Sequence, residues 1–143
     1  AFFYSSNYSL GVNIFFHLNK VLARLMNRYP EYDVTIDETH HTEKKDAPSG
    51  TALTLAGDLL GELARKTNWV NNAAKNGSEL AVLSHRVDKV PGTHAVRYTS
   101  AIDDIEIKHT AHNREGFALG AVLATEWIVG KHGVFSMEDM LEF

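Results

Sequence analysis

Cysteine is absent from the 143 residues, which rules out disulfides and thiolate metal sites and accords with a reducing compartment. Long apolar runs are missing as well. The opening stretch AFFYSSNYSLGVNIFFHL is broken by Ser, Asn and Gly and has no basic leader, so it matches neither a membrane span of roughly 18 apolar residues nor a secretory signal. A soluble, unexported, cytoplasmic chain is expected. Basic residues are in deficit, 14 Lys and Arg against 18 Asp and Glu for a net charge of -4 and a pI near 6.0, whereas a general nucleic-acid binder needs the opposite balance. Any positive site must therefore be local. Internal repeats and low-complexity tracts do not occur, and 44% hydrophobic with 22% charged residues suits one globular domain with its own core.

The chain opens with Ala rather than Met, and AFFYS is strand-like with no partner close in sequence; the expectation is a piece of a longer protein. Beyond SSNYS, Val12, Phe15, Phe16, Leu18, Leu22, Leu25, Met26 and Tyr29 recur at helical spacing, which predicts an amphipathic helix capped by Ser9 and stopped by Pro30. YDVTIDET then alternates Val34 and Ile36 with Asp33, Thr35 and Asp37, a half-buried strand. TALTLAGDLLGELARKTN sets Ala52, Leu55, Ala56, Leu59, Leu60 and Leu63 on one stripe of a second helix. WVNNAAKNGS reads as a polar surface connection. Three strand-like runs follow, ELAVLSHRV, THAVRYTSA and DIEIKHTAH, expected to form an antiparallel meander with the earlier strand added to it. REGFALGAVLATEWIVGK reads as a third, mostly buried helix ending near Gly130 or Gly133, and SMEDMLEF as a short helix with Ser136 and Asp139 in a capping box. This order predicts an α+β fold: a mixed, largely antiparallel sheet of about four strands with helices packed on one face. The other face is expected to serve oligomerisation, with Val82, Val96, Tyr98, Ile105 and Ile107 as its apolar material.

The densest chemistry lies in HHTEKKDAPSGTA, residues 40 to 52. Pro48 fixes φ, Ser49 or Thr51 offers a capping hydroxyl, and Gly50 admits close approach to the backbone. The N–H groups at the head of the next helix can cradle a carboxylate or phosphate, or can simply be capped. A P-loop fits poorly, because Thr51 stands where that motif needs Lys. His40 and His41 flank this cradle. Consecutive side chains of an extended segment point opposite ways, so one suits proton exchange near neutral pH and the other a hydrogen bond. Lys44 adds a point charge with three donors, and Lys45 lies beside it. Together these groups suit a small polyanion. A metal site is the rival reading, but there is no Cys, and His109 and His112 lie three positions apart on a strand and so on opposite faces. No metal is expected. Arg97, Lys108 and Arg114 read as charges solvating strand and helix edges.

HHTEKKDAPSGTA closely resembles the signature H-H-x-x-K-x-D-x-P-S-G-T of the dihydrodipicolinate reductase family, which reduces 4-hydroxy-tetrahydrodipicolinate with NADH or NADPH in diaminopimelate and lysine biosynthesis. SSNYSLGVNIFF is similar to that family's crossover from its cofactor domain, and HTAHNREGFALGAVLATEWIVGK to its last strand and helix. The resemblance implies that residues 1–9 are the crossover and 10–143 the C-terminal substrate-binding and oligomerisation domain of a homotetramer built through the sheet. It implies His40 as proton donor or acceptor, Lys44 as second proton donor and carboxylate partner, and His41 as a substrate contact. Gly50 and Thr51 would hold a substrate carboxylate, and Ser5, Ser6, Asn7 and Tyr8 would pass beside the nicotinamide end of the cofactor. The substrate would be a small dicarboxylate, with neither nucleic acid nor membrane as partner. One departure is large: no G-x-G-x-x-G dinucleotide turn occurs, since Gly57 with Gly61 and Gly116 with Gly120 fall inside helical patterns. The chain is therefore expected to hold the substrate half of an active site and to be inactive alone. Two other classes stay open: a non-catalytic oligomerisation module whose basic loop is surface decoration, and a lyase forming a Schiff base at Lys44.

Overall fold

From Asp33 to His40 every second side chain is buried: Val34, Ile36, Glu38 and His40 turn inward, while Asp33, Thr35, Asp37 and Thr39 turn outward. The two-residue period of an extended chain puts a carboxylate and an imidazole on the same face as the core aliphatics, and this juxtaposition organises the molecule. The computed structural model describes residues 1–143. In chain order its elements are β1 (Phe2–Phe3), α1 (Leu10–Met26), β2 (Asp33–His40), α2 (Gly50–Glu62), β3 (Asn68–Val70), β4 (Glu79–Arg86), β5 (Gly92–Thr99), β6 (Asp104–Ala111), α3 (Glu115–Trp127), β7 (Val134–Phe135) and α4 (Met137–Leu141).

The fold is α+β, with a five-stranded sheet in the order β3-β4-β2-β5-β6. β2 is central, parallel to β4 and antiparallel to β5, and β5 pairs antiparallel with β6. This corrects the expected meander with a strand added to it. β4 and β5 flank β2 instead of pairing with each other, because the connection between them crosses the end of β2, where Val87 N–H donates to the His40 carbonyl at 2.8 Å. The strand count also exceeds the expected four: Asn68–Val70, which spans the end of the run read as the second helix and the start of the stretch read as a connection, pairs parallel with Glu79–Ala81. Three residues are too few for alternation to register. At the far end of the chain β1 finds its partner, lying parallel to β7 with Phe2 opposite Val134.

α1 and α2 cover one face of the sheet, and Phe15, Ala23, Met26, Leu55, Leu59, Ile36, Val82, Val96 and Tyr98 meet in a single core. Burying each large aliphatic there contributes about 1.5–3 kcal/mol. Both helices begin at serine caps: Ser9 Oγ accepts from Val12 N–H at 3.4 Å and Ser49 Oγ from Ala52 N–H at 3.2 Å. Val82, Val96 and Tyr98 are fully buried beneath the helices and Ile107 packs against the same core, so these residues are not the apolar material of the opposite face. That face instead carries Thr35, Asp37, Thr93, Arg97 and Lys108, with ion pairs Asp37–His85 at 2.9 Å and Arg97–Glu106 at 2.7 Å.

α3 also departs from expectation. Only Gly120 and Ala124 in it are buried, and Phe117, Leu119 and Val122 are exposed. A Cβ on Gly120 would fall 1.7 Å from the Tyr8 carbonyl oxygen. The helix therefore packs through its small residues, directly on the backbone that leads into α1. It ends at Trp127, short of the positive-φ Gly130, and α4 opens with the expected capping box of Ser136 and Asp139.

Candidate active site

Because β2 is central, its last inward residues have neighbours on both sides. Glu38 lies opposite Ser84 on β4 and His94 on β5, and His40 lies opposite Arg86. The Glu38 side chain is wholly buried yet fully engaged. Arg86 Nη1 and Nη2 donate to its two oxygens at 3.1 Å each, Ser49 N–H donates at 3.1 Å, and His40 Nδ1 bonds Oε2. Burial alone would raise its carboxyl, but the hydrogen bonds from His40, Arg86 and Ser84 prevail and hold it down at about 2. It is an anion at any working pH. His94 is its counterpart, lowered to about 4 by burial and by the proximity of His40, hence neutral, with Nε2 2.9 Å from Ser49 Oγ. The His40 and His94 rings meet edge to face at 5.0 Å.

The head of α2 closes this cluster from above. Ser49 is extended (φ -64°, ψ 156°) and caps the helix, which leaves the Gly50 and Thr51 N–H groups ahead of the first intrahelical donor, Leu53 N–H to Ser49 O at 3.0 Å. Space beside Gly50 is open, since a Cβ there would meet nothing within 4 Å. A cleft of about 330 Å³ runs past this helix end, lined by His40, His41, Lys44, Gly50, Thr51 and Thr54, and across from them by Ser6, Asn7, Asn113 and Arg114. Only three of its 15 lining residues are hydrophobic, which suits a small polar ligand, at the lower end of ligand-site volumes.

Seven of the residues singled out from sequence thus face one cleft: His40, His41, Lys44, Gly50, Thr51, Ser6 and Asn7. His41 Nδ1 is buried without a protein partner. Lys44 Nζ reaches Asp46 at 2.8 Å. Ser5 and Tyr8 lie elsewhere: Ser5 Oγ donates to the Asn7 carbonyl at 2.6 Å, shaping the segment, and Tyr8 lines a separate hollow with Phe3 and Ile128. Arg114, read as edge solvation, belongs to the cleft wall. Arg97 stays on the opposite face, paired with Glu106. Sequence reasoning did not single out Glu38, Arg86 and His94 as a group. The signal for Glu38 was present, because extending the alternation of Val34 and Ile36 by one step lands on it.

Glu38, His40 and His94 bring potential metal ligands within 4.8 Å of one another. The donor set does not fit a cation: both Glu38 oxygens face the Arg86 guanidinium, and His94 Nε2 is taken by Ser49. The arrangement works as an ion-paired hydrogen-bond network around His40.

Comparison with known proteins agrees with this geometry. Residues 11–141 match the family model described as dihydrodipicolinate reductase, C-terminus. The 4-hydroxy-tetrahydrodipicolinate reductase of Christiangramia forsetii is 50% identical over 141 residues, covering 99% of this chain and 59% of that protein. The protein of the same name from Methanosarcina barkeri is 42% identical over 141 residues, covering 96% of this chain and 52% of its own. The dipicolinate-bound dihydrodipicolinate reductase of Paenisporosarcina sp. TG-14 superposes with a TM-score of 0.70 at 21% identity, over 96% of this chain and 54% of that one, a likeness of fold. The chain thus spans little more than half the length of these relatives, and with its cleft, its motif and nearly its whole length accounted for, it belongs to the dihydrodipicolinate reductase C-terminus family.

Proposed function

We propose that the chain is the substrate-binding part of a reductase that converts 4-hydroxy-tetrahydrodipicolinate to tetrahydrodipicolinate. The observation that carries the reading is one cleft uniting a helix head with open Gly50 and Thr51 N–H groups, a lysine and an ion-paired histidine. Gly50 and Thr51 N–H groups, at the positive end of the α2 dipole, receive one carboxylate of the substrate. Lys44 and His41 receive the other, and Lys44 is a second source of protons. His40 protonates the substrate after reduction. NADH or NADPH, when bound, supplies the hydride. Ser6 and Asn7 on the opposite wall support an approach of the nicotinamide from that side, with Ser5 and Tyr8 setting the path of residues 1–9 as the crossover from a cofactor-binding domain.

The hydroxyl-rich and charged outer face of the sheet supports its use in a homotetramer, through polar contacts like those of Asp37, His85, Arg97 and Glu106. No helix is long and apolar enough to cross a membrane, and the absence of cysteine supports a cytoplasmic setting. A Schiff-base role for Lys44 is disfavoured, because its ammonium is paired with Asp46 at 2.8 Å in a cleft lined mostly by polar residues.

The test has two arms. Pyridine-2,6-dicarboxylate titrated into the ¹⁵N-labelled chain should shift the Gly50 and Thr51 amides and the His40 and His41 ring signals; unperturbed signals refute the site. In the intact reductase, His40→Ala should lower kcat by about two to four orders of magnitude, and an unchanged kcat removes His40 from the chemistry.

A further inference from the structure

The Arg86 guanidinium spends all five of its N–H groups. Nε donates to the Lys44 carbonyl at 3.3 Å, Nη1 to Glu38 Oε2 at 3.1 Å and the His85 carbonyl at 2.8 Å, and Nη2 to Glu38 Oε1 at 3.1 Å and the Asp46 carbonyl at 2.6 Å. One rigid side chain from β4 therefore grips both the buried carboxylate on β2 and the loop that presents Lys44. Through Glu38 the grip extends to the His40 ring, whose Nδ1 bonds Oε2 while its Nε2 edge lies beside Gly92, in a residue that lines the cleft.

We infer that Glu38 and Arg86 are a positioning pair for the proposed proton transfer: Glu38 holds His40 with Nδ1 engaged and Nε2 free toward the cleft, and Arg86 locks that carboxylate to the Lys44 loop. The inference takes its chemistry, though not its geometry, from the reductase reading. An ionised carboxylate accepts the Nδ1 hydrogen and so fixes Nε2 as the nitrogen that releases the proton. The substrate's 4-hydroxyl would leave as water with a C3 proton, giving the conjugated imine, and a bound NADH or NADPH would supply the hydride; the role of His40 is then to break its own Nε2–H bond. The proton passes to the substrate atom that gained the electron pair, and the neutral ring keeps its Nδ1–H on Glu38. Arg86 balances the Glu38 charge, so the carboxylate orients the ring without leaving an unpaired anion in the core.

The other ionisable groups around His40 act in the same geometry. His94 on β5 lies edge-on and neutral, His109 on β6 lines the small inner cavity with it, and Lys44 and Asp46 pair with each other in the loop. His41 follows His40 directly and lines the same cleft. Glu38 alone offers a charged oxygen to the ring.

Long-range ¹H–¹⁵N spectra of the histidine-labelled chain, followed through a pH titration, test the geometry without any substitution. Neutral His40 should be the Nδ1–H tautomer; the Nε2–H tautomer overturns the inference. In Glu38→Gln the ring loses its ionised acceptor at Nδ1, so the Nε2–H tautomer should appear beside the Nδ1–H form. In the intact reductase the same variant should lose kcat by about 10- to 100-fold with KM within about threefold, as expected for a misoriented acid. Wild-type tautomer and kcat in Glu38→Gln overturn the positioning role. Should Glu38→Gln fail to fold, Arg86→Lys keeps the charge and removes the fork. It should speed amide exchange at Lys44 and Asp46 and raise KM about tenfold, and wild-type values for both overturn the strut. The expected tautomer combined with full turnover in His40→Ala refutes the reductase reading instead, which keeps the two failures apart.

Discussion

Gly92 stands directly against the His40 ring: a Cβ added to it would lie 3.1 Å from Nε2 and 3.3 Å from Cδ2. The ring cannot withdraw without cost, because Nδ1 is tied to Glu38 and the opposite edge meets His94 at 5.0 Å. Gly92→Ala is therefore expected to tilt the imidazole by a few tenths of an ångström and, in the intact reductase, to lower kcat about tenfold, since small misplacements of a reacting group weigh heavily on rate. Folding should be nearly unaffected, because alanine in a strand regains the roughly 0.5–1 kcal/mol that glycine forfeits. Steady-state kinetics beside thermal melts separate the two effects, and wild-type turnover in Gly92→Ala would mean that the ring is not fixed.

Acid should unfold the site in two steps. His94 has its folded pKa lowered to about 4 by burial, so the unfolded chain binds a proton first. The stability from its neutral form is complete above about pH 6.5 and is lost as pH falls toward 4. Glu38, held down at about 2 against an ordinary 4.5, contributes in the same direction lower down, and its share is lost between those values as pH falls. His94→Gln, which can still bond Ser49 Oγ, should flatten the first step only, by on the order of 2–3 kcal/mol. Urea unfolding across the acid range checks this, and a slope unchanged between about pH 4 and 6.5 in the variant would refute it.

Asp58 works in the opposite sense. Burial raises its carboxyl to about 6, and Lys20, 4.0 Å away and bonded to Glu138 at 2.9 Å, offsets only part of the rise. Its Oδ2 is buried with no partner. A raised acid gives stability that is complete below the unfolded value near 3.8 and lost as pH rises through about 6. Asp58→Asn should consequently stabilise the fold above about pH 6 by on the order of 1–3 kcal/mol and change little near pH 4. Paired denaturation curves at the two extremes decide it; a difference independent of pH would place the effect elsewhere.

The parts of this molecule legible in its sequence are those coded locally. Ser9, Ser136 and the choice of Ser49 or Thr51 announced three helix starts through short-range capping, and Val34 with Ile36 announced the central strand through its period. The cleft followed from HHTEKKDAPSGTA because its cradle, histidines and lysine are neighbours in the chain. What escaped depends on distant pairing. Arg86 meets Glu38 only once β4 has been laid parallel to β2, and β1 finds β7 only when the two ends come together. Nothing in the period of α3 distinguishes a helix buried all round from one that covers only Gly120 and Ala124.

Two glycines of α3, one turn apart, should respond to alanine with opposite sign. On Gly116 a Cβ would sit 3.6 Å from Ser9 Oγ, an ordinary contact, and the variant should gain up to about 1 kcal/mol of helix propensity. On Gly120 the same atom would fall 1.7 Å from the Tyr8 carbonyl oxygen and 2.6 Å from its carbon. Backbone cannot step aside by changing rotamer, so α3 has to lift away from the segment that carries Asn7 into the cleft. Gly120→Ala should cost about 3 kcal/mol, the upper part of the range for overpacking, and should disturb the Ser6 and Asn7 amide signals, which Gly116→Ala leaves in place. Urea denaturation and amide spectra of both variants test this packing. Equal stabilities would mean that α3 does not rest on Tyr8, and that the wall of the cleft opposite His40 is set by something other than this helix.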